Sequence, residues 1–292
     1  MKVAVYGKKF QQEVAPFVHE LFLELEKAQM EVLVYEPFYN FLSQQIRLNL
    51  FLGTYNSYEE LKKNIDLFIS IGGDGTILDA TTLIRDTGIP IIGVNTGRLG
   101  FLADIAKEQI PKTIKQLINK RFSIDQRTLI KLETEQPLFD GLNFALNEVT
   151  ISRKDTTSMI TITTYINDQY LNSYWADGLI IATPTGSTGY SLSCGGPIVM
   201  PGSENFIITP IAPHNLNVRP LVISDKYEIK VKVEGRAKQF LVALDSRIQT
   251  MDAGLELTIK KESFKINMIE TETQDFSSTL RNKLLWGLDK RN

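Results

Sequence analysis

Apolar residues in the first third of the chain recur in two alternating rhythms. Residues 2–6 (KVAVY), 31–35 (EVLVY), 66–71 (DLFISI) and 89–94 (IPIIGV) are short, nearly continuous apolar runs, the pattern of strands buried on both faces. Between the first two, Val14, Phe17, Val18, Leu21, Leu25 and Ala28 fall at helical spacing, and a second helical pattern covers 76–86. His19 lies off the first stripe and reads as a solvated helix-face residue. Strand and helix in alternation imply a mostly parallel sheet with helices on its faces.

The period changes after a last helical pattern built on Ile110, Ile114, Leu117 and Ile118. Residues 160–166 (ITITTYI) alternate apolar and polar positions and run into Asn167-Asp168, a turn signal. Strand-like runs follow at 178–183, 206–211, 226–234, 239–244 and 255–267. Short strands with frequent turns point to an antiparallel β domain, a sandwich. The expected organisation is an α/β domain at 1–122 with a mostly parallel, Rossmann-like sheet, and an all-β, sandwich-like domain at 123–271. A helical tail (276–288 within 272–292) is expected to pack back on the first domain.

Composition narrows the chemistry. The 292 residues carry 32 Lys plus Arg against 34 Asp plus Glu, so no global basic field exists to hold nucleic acid by phosphate neutralisation. A single cysteine, Cys194, and two histidines exclude an internal disulfide and a Cys/His zinc cluster. No run of 18 apolar residues occurs and the opening MKVAVYGKKF lacks a leader pattern, so the expectation is a cytoplasmic protein without a membrane partner. With so few histidines, a carboxylate is the first candidate for acid–base work.

The strongest local signal is Ile71-Gly72-Gly73-Asp74-Gly75-Thr76, directly after an apolar strand and directly before a helix. At the carboxyl edge of a parallel sheet, glycines allow positive φ and close backbone approach, and free amides at a helix start attract phosphate. The chain has neither a G-x-x-x-x-G-K-[ST] nor a G-x-G-x-x-G motif. Asp74 is the odd member, since a carboxylate beside a polyphosphate is repelled unless it binds a metal or accepts a proton. The competing reading is that Asp74 or Thr76 only caps the helix. A second glycine turn, Gly93–Phe101 (GVNTGRLGF), follows the next strand and places two such turns on one sheet edge, which describes a ligand crevice.

A second constellation begins at residues 177–196 (DGLIIATPTGSTGYSLSCGG), where a strand opens into a hydroxyl-rich loop. Thr185, Ser187, Thr188, Ser191 and Ser193 make a polar lining suited to phosphate or ribose. Upstream, Asn147-Glu148 interrupts the apolar run FALNEVTI, either as ligand groups or as solvated residues of an edge strand. Ser-His-Asp chemistry fits poorly: Gly186-Ser187-Thr188-Gly189 is one residue short of G-x-S-x-G and His214 has no partner in sequence. Cys194 reads as a packing residue.

Taken together, GGDGT at 72–76, GVNTGRLGFL at 93–102, LNEV at 146–149 and DGLIIATPTGSTGYSLSCGGPI at 177–198 resemble the NAD kinase family in order and spacing. The resemblance runs from about residue 66 to the LRNKLLW tail. It implies ATP-dependent phosphorylation of the 2′-hydroxyl of the adenosine ribose of NAD, with Mg²⁺ accompanying ATP and no metal ligand assigned to the protein. It implies Asp74 as general base, and NAD contacts at Asp74, Gly75, Asn147, Glu148, Asp177, Thr188, Gly189, Tyr190, Ser191, Leu192, Ser193, Ala212 and Arg247. The ATP phosphates fall to Gly72, Gly73, Gly75 and Thr76. Asn147 suits an adenine edge, Glu148 a ribose diol and Asp177 the nicotinamide amide; Ala212 is a close wall and Arg247 a cation near phosphate. The family likeness also implies a homodimer or homotetramer.

Three positions depart from the family pattern. Trp175 stands where many bacterial members have Arg, which puts NADP feedback in question; Gly189 stands where Ala is commoner; Arg98 occupies a variable position. Two other readings remain open from the residues alone, a lipid kinase using the same glycine loop and a non-catalytic dinucleotide sensor.

Overall fold

The computed structural model of the protein describes residues 1–48, 52–97, 100–155, 158–236, 238–272 and 275–285. Arg98 and the last residues of the expected helical tail lie outside this set. The chain divides into two compact units, Met1–Gln126 with Ile266–Asn292, and Arg127–Lys265.

The first unit contains β1 (Lys2–Gly7), α1 (Ala15–Lys27), β2 (Glu31–Tyr35), α2 (Glu36–Gln45), β3 (Leu52–Tyr55), α3 (Tyr58–Leu61), β4 (Leu67–Ile71), α4 (Asp74–Ile84), β5 (Ile91–Asn95), β6 (Ile105–Ala106) and α5 (Ile110–Ile118). Its strands run parallel in the order β3-β2-β1-β4-β5, with Val5 opposite Ile69 and Phe68 opposite Ile91. Val3, Val5, Val32, Ile69 and Ile92 pack against Leu21, Phe22 and Leu25 of α1, so the apolar runs and the helical stripe meet in one core. Strand order reverses between β1 and β4, the point at which open parallel sheets leave a crevice at their carboxyl ends, and the GGDGT loop follows β4 there. Helix α2 escapes the sequence pattern because only Phe38 and Leu42 anchor it as buried residues.

The second unit is built on β7 (Phe122–Glu133), β8 (Phe144–Ala145), β9 (Glu148–Arg153), β10 (Ile160–Ile166), β11 (Gln169–Ala176), β12 (Gly178–Ala182), a short α6 (Tyr190–Ser193), β13 (Asn205–Ile211), β14 (Leu221–Ser224), β15 (Ile229–Glu234), β16 (Gln239–Leu244), β17 (Arg247–Asp252) and β18 (Glu256–Thr271). One sheet has the order β8-β7-β18-β15-β10-β11 and the other β14-β13-β12-β9-β16-β17. Ile162, Val231 and Ile259 from the first share a core with Ile151, Leu179, Phe206 and Phe240 from the second, which makes the unit a β sandwich. Asn167 and Asp168 both take positive φ, the backbone a tight hairpin turn requires. The end of β18 belongs to the first unit, where Met268 pairs in parallel with Ile91, and α7 (Phe276–Leu284) follows it.

Strand β9 corrects one expectation. It lies between β12 and β16, so Asn147 and Glu148 open a central strand and the edge-strand reading of their polarity fails.

Candidate active site

In the first unit the glycine loop turns sharply out of β4 into α4. Gly72 has φ +150°, and a Cβ there would overlap the Thr76 side chain, so no other residue fits. A Cβ on Gly73 or Gly75 would meet nothing within 4 Å, so the loop is open on that side and its amides can face a ligand. Thr76 is buried against Gly72 and supports the turn.

Asp74 is the first residue of α4, yet Gly73 occupies the cap position and no side chain caps the helix. The capping alternative therefore falls for Asp74 and Thr76 alike. Instead the Asp74 carboxylate reaches the second glycine turn, where Oδ2 accepts from the Phe101 N–H at 2.9 Å and Oδ1 from Leu102 and Ala103 at 3.0 and 2.9 Å. That turn is braced in its own right: Asn95 Nδ2 donates to the Ala103 carbonyl at 3.0 Å and Asn95 Oδ1 accepts from Gly97 at 2.7 Å. Lys283 of α7 places its ammonium 3.9 Å from Asp74 Oδ2 and over the Phe101 ring, while Phe276 of the same helix packs on Phe101. A carboxylate offers about four lone-pair sites, so three N–H donors fix its plane and leave room for one further partner, such as a substrate hydroxyl. Side-chain exposure of 30% keeps that position within reach of a ligand.

Gly100 completes the fit, because a Cβ there would overlap the Asp74 carboxylate. Gly100→Ala is therefore expected to lower kcat by about tenfold or more by displacing the Asp74 carboxylate, the expected general base, with little change in the unfolding midpoint. Steady-state kinetics beside a thermal melt tests this; unchanged kcat in folded protein would contradict it.

In the second unit, the segment Leu146-Asn147-Glu148 is gripped by backbone. Thr183 N–H donates to the Asn147 carbonyl at 2.8 Å and Thr183 Oγ1 to the Leu146 carbonyl at 2.6 Å, while Gly186 approaches so closely that a Cβ would overlap Asn147. The two side chains are left over. Among the described residues Asn147 Oδ1 and Glu148 Oε2 are buried with no hydrogen-bond partner. Glu148 is only 8% exposed, and its carboxyl is pushed up to about 8, first by burial and then by the Asp245 carboxylate. Gly189 covers this spot, since its Cβ would lie 3.1 Å from Glu148 Oε2.

The hydroxyl-rich loop divides into support and surface. Ser187 both donates to and accepts from the Val199 backbone, and Ser191 shares a 2.8 Å hydrogen bond with Thr209, so both turn inward. Thr188 donates to the Thr185 carbonyl at 3.2 Å. Tyr190 and Ser193 stand exposed and Leu192 half-buried. Burial, Cys194 and Asp177 all push the Tyr190 phenol up, and burial followed by Glu148 raises the Cys194 thiol against a hydrogen bond from Tyr190. Glu148, Cys194, Tyr190 and Asp177 thus form one electrostatic neighbourhood.

Asp177 is held in a bidentate pair by Arg153, with Nε–Oδ1 at 3.0 Å and Nη2–Oδ2 at 3.1 Å. Its N–H donates to the Ile211 carbonyl, next to Ala212, which is exposed and takes φ +44°, a strained value for alanine. Trp175 stacks on His214 with ring centroids 4.4 Å apart. Arg247, expected as a cation near phosphate, donates to the Leu142 carbonyl at 2.5 Å and to that of Phe144, and lies over the Phe139 and Phe144 rings. Sequence reasoning missed Arg153, Asp245, Lys283 and the 101–103 amides, all brought in from distant segments.

A parallel α/β unit with an open glycine loop and a fixed carboxylate, and a β sandwich carrying an unpartnered amide–carboxylate pair, define a nucleotide-binding phosphotransferase of two units. The model for the ATP-NAD kinase N-terminal domain matches residues 7–122 and that for the ATP-NAD kinase C-terminal domain residues 146–271. An NAD kinase of Flavobacterium psychrophilum is 53% identical over 294 residues, covering all of both chains, and one of Bacteroides fragilis is 43% identical over 291 residues, again covering both. An NAD kinase of Archaeoglobus fulgidus solved in complex with ATP aligns with a TM-score of 0.75 at 28% identity over 97% of each chain. Yeast NADH kinase shares the fold, with a TM-score of 0.88 over 99% of this chain and 88% of its own, at 23% identity. The chain belongs to the ATP-NAD kinase family, and its reaction is the ATP-dependent phosphorylation of NAD. The lipid-kinase and sensor readings find no support.

Proposed function

We propose that NAD is recognised through Asn147, Glu148, Asp177 and the 188–193 loop, and that Asp74 removes the proton from the 2′-hydroxyl of its adenosine ribose. The observation that carries this reading is the pair of buried, unpartnered atoms Asn147 Oδ1 and Glu148 Oε2 on a fully engaged backbone. Buried polar groups without partners are costly, and a nucleotide offers matching donors in an adenine amino group and a ribose diol. In the transfer, the ribose O2′ forms a bond to the γ-phosphorus as the bond to ADP breaks, and the hydroxyl proton passes to Asp74. The amides of Gly73 and Gly75 on the open face of the loop support binding of the ATP phosphates.

No group of three or more His, Cys, Asp or Glu side chains suited to a metal occurs among the described residues. The open loop, whose Gly73 and Gly75 positions meet nothing on one side, fits a cation that would be held mainly by ATP itself. When bound, Mg²⁺ would neutralise charge on the phosphates being separated. Incubating the purified protein with Mg-ATP and NAD, NADH or a lipid alcohol tests the assignment. NADP is the product expected, and phosphorylation of the lipid alone would overturn it.

Asp177→Asn is expected to raise KM for NAD about tenfold while kcat changes less, because a charged hydrogen bond to the substrate is lost away from the reacting atoms. Initial rates against NAD concentration read the split; an unchanged KM would move the nicotinamide site elsewhere. The reading extends to a cytoplasmic homodimer or homotetramer. Among the described residues no helix is long and apolar enough to cross a membrane, and Leu216, Leu221 and Val222 at and beside edge strand β14 expose apolar surface of the kind subunits cover.

A further inference from the structure

We infer that Asp245 is a positioning residue for NAD recognition: from the turn between β16 and β17 its carboxylate holds the backbone that presents Asn147 and Glu148. The inference rests on the reading of those two side chains as NAD ligands. Asp245 and Ser246 are the two-residue turn between the paired Leu244 and Arg247. Asp245 takes φ +53°, where glycine or asparagine is the easier choice. Its side chain explains the exception. Oδ2 accepts from the Leu146 N–H at 2.9 Å, and Oδ1 from Asn147 at 2.8 Å and Glu148 at 3.2 Å. Three converging N–H groups form a nest that suits an anion and would repel the amide of asparagine. In return the Asp245 N–H donates to the Glu148 carbonyl at 3.1 Å.

The grip is two-sided. Asp245 takes the N–H groups of residues 146–148, while Thr183 takes the carbonyls of 146 and 147, so this backbone segment is hydrogen-bonded from both sides. The side chains of Asn147 and Glu148 are thereby committed to a ligand. Asp245 also acts through charge. Its carboxylate adds to the effect of burial in raising the Glu148 carboxyl, and burial also raises the Asp245 carboxyl itself, against the three N–H bonds and Arg247. Among the described residues, the Cys194 thiol at the end of α6 also lies within the electrostatic reach of Glu148.

The test is NAD binding by calorimetry from pH 6 to 9 on the full-length Asp245→Asn and Asp245→Gly variants, with circular dichroism as a check on folding. Glycine keeps the turn and removes only the carboxylate. Both variants are expected to weaken NAD binding at least about tenfold, to raise KM for NAD more than they lower kcat, and to move the pH midpoint of NAD affinity acidward by about one unit. In an Asp245→Gly, Glu148→Gln double variant the midpoint disappears. Folded variants with unchanged NAD affinity and an unmoved midpoint would overturn the positioning role. If Glu148→Gln alone leaves NAD affinity intact, it is the NAD-recognition reading that fails instead.

Discussion

Asp74→Asn is expected to reduce kcat at least about 100-fold with the fold intact, the size of effect associated with loss of a positioned general base. Asparagine matches aspartate in shape, so helix α4 and the glycine loop should persist. It fails in two ways. An amide cannot take the ribose proton, and its NH₂ group would face one of the three N–H donors at Phe101, Leu102 and Ala103 that now meet a carboxylate oxygen. The second failure weakens the seat of the side chain, so on the proposed reading the reacting hydroxyl loses its anchor as well as its base. NAD affinity, which the proposed reading places on residues 147–148 and 177, should change much less than kcat. Single-turnover kinetics with calorimetric NAD binding separates the two; near-wild-type turnover in folded Asp74→Asn protein would remove Asp74 from the chemistry.

The second large effect concerns Glu148. In the folded protein its carboxyl holds a proton to about pH 8, whereas an unfolded glutamate releases it near 4.5. Throughout that window the folded state binds more protons than the unfolded one, so stability falls as pH rises, by up to about 5 kcal/mol across the window, and the loss is complete above about pH 8. Glu148→Gln removes the titration. The variant should resist urea better than wild type at pH 9, with its advantage shrinking toward pH 5. On the proposed reading, binding follows the opposite sign, because the ionised carboxylate is the form that would accept from a ribose diol. Wild-type NAD affinity should rise with pH up to about 8 and level off there, while Glu148→Gln should bind weakly and without that slope. Urea melts and NAD titrations at matched pH values check both halves. A flat wild-type stability profile between pH 5 and 8 would show that Glu148 ionises freely in the free enzyme.

These two carboxylates mark where local sequence stops being informative. Asp74 is visible because everything that singles it out is adjacent in the chain: an apolar strand, glycines with special backbone needs and a helix start. Asn147-Glu148 is visible as a polar break in an apolar run. The parallel α/β pattern and the alternation of ITITTYI are legible for the same reason, since side-chain period is a property of a few consecutive residues. The hydroxyls of the 183–193 loop were not separable this way. Ser187 and Ser191 look like ligand groups in sequence, and only packing against Val199 and Thr209 turns them inward.

Asp245 shows the limit most clearly. In sequence, Leu244-Asp245-Ser246-Arg247 reads as an ordinary hairpin turn. The register that sets Leu244 opposite Val149 and Ala182 opposite Glu148 carries that turn to the start of β9, 97 to 99 residues away along the chain, and there its carboxylate finds three amides. Likewise Lys283 and the 101–103 amides reach Asp74 only through the packing of α7 and the fold of the second glycine turn. The sequence by itself determined which residues can do chemistry, because backbone freedom and side-chain period are local. The tertiary structure alone decided which of them are held, paired or left without a partner, because burial and hydrogen-bond supply depend on segments that meet only when the sheets close.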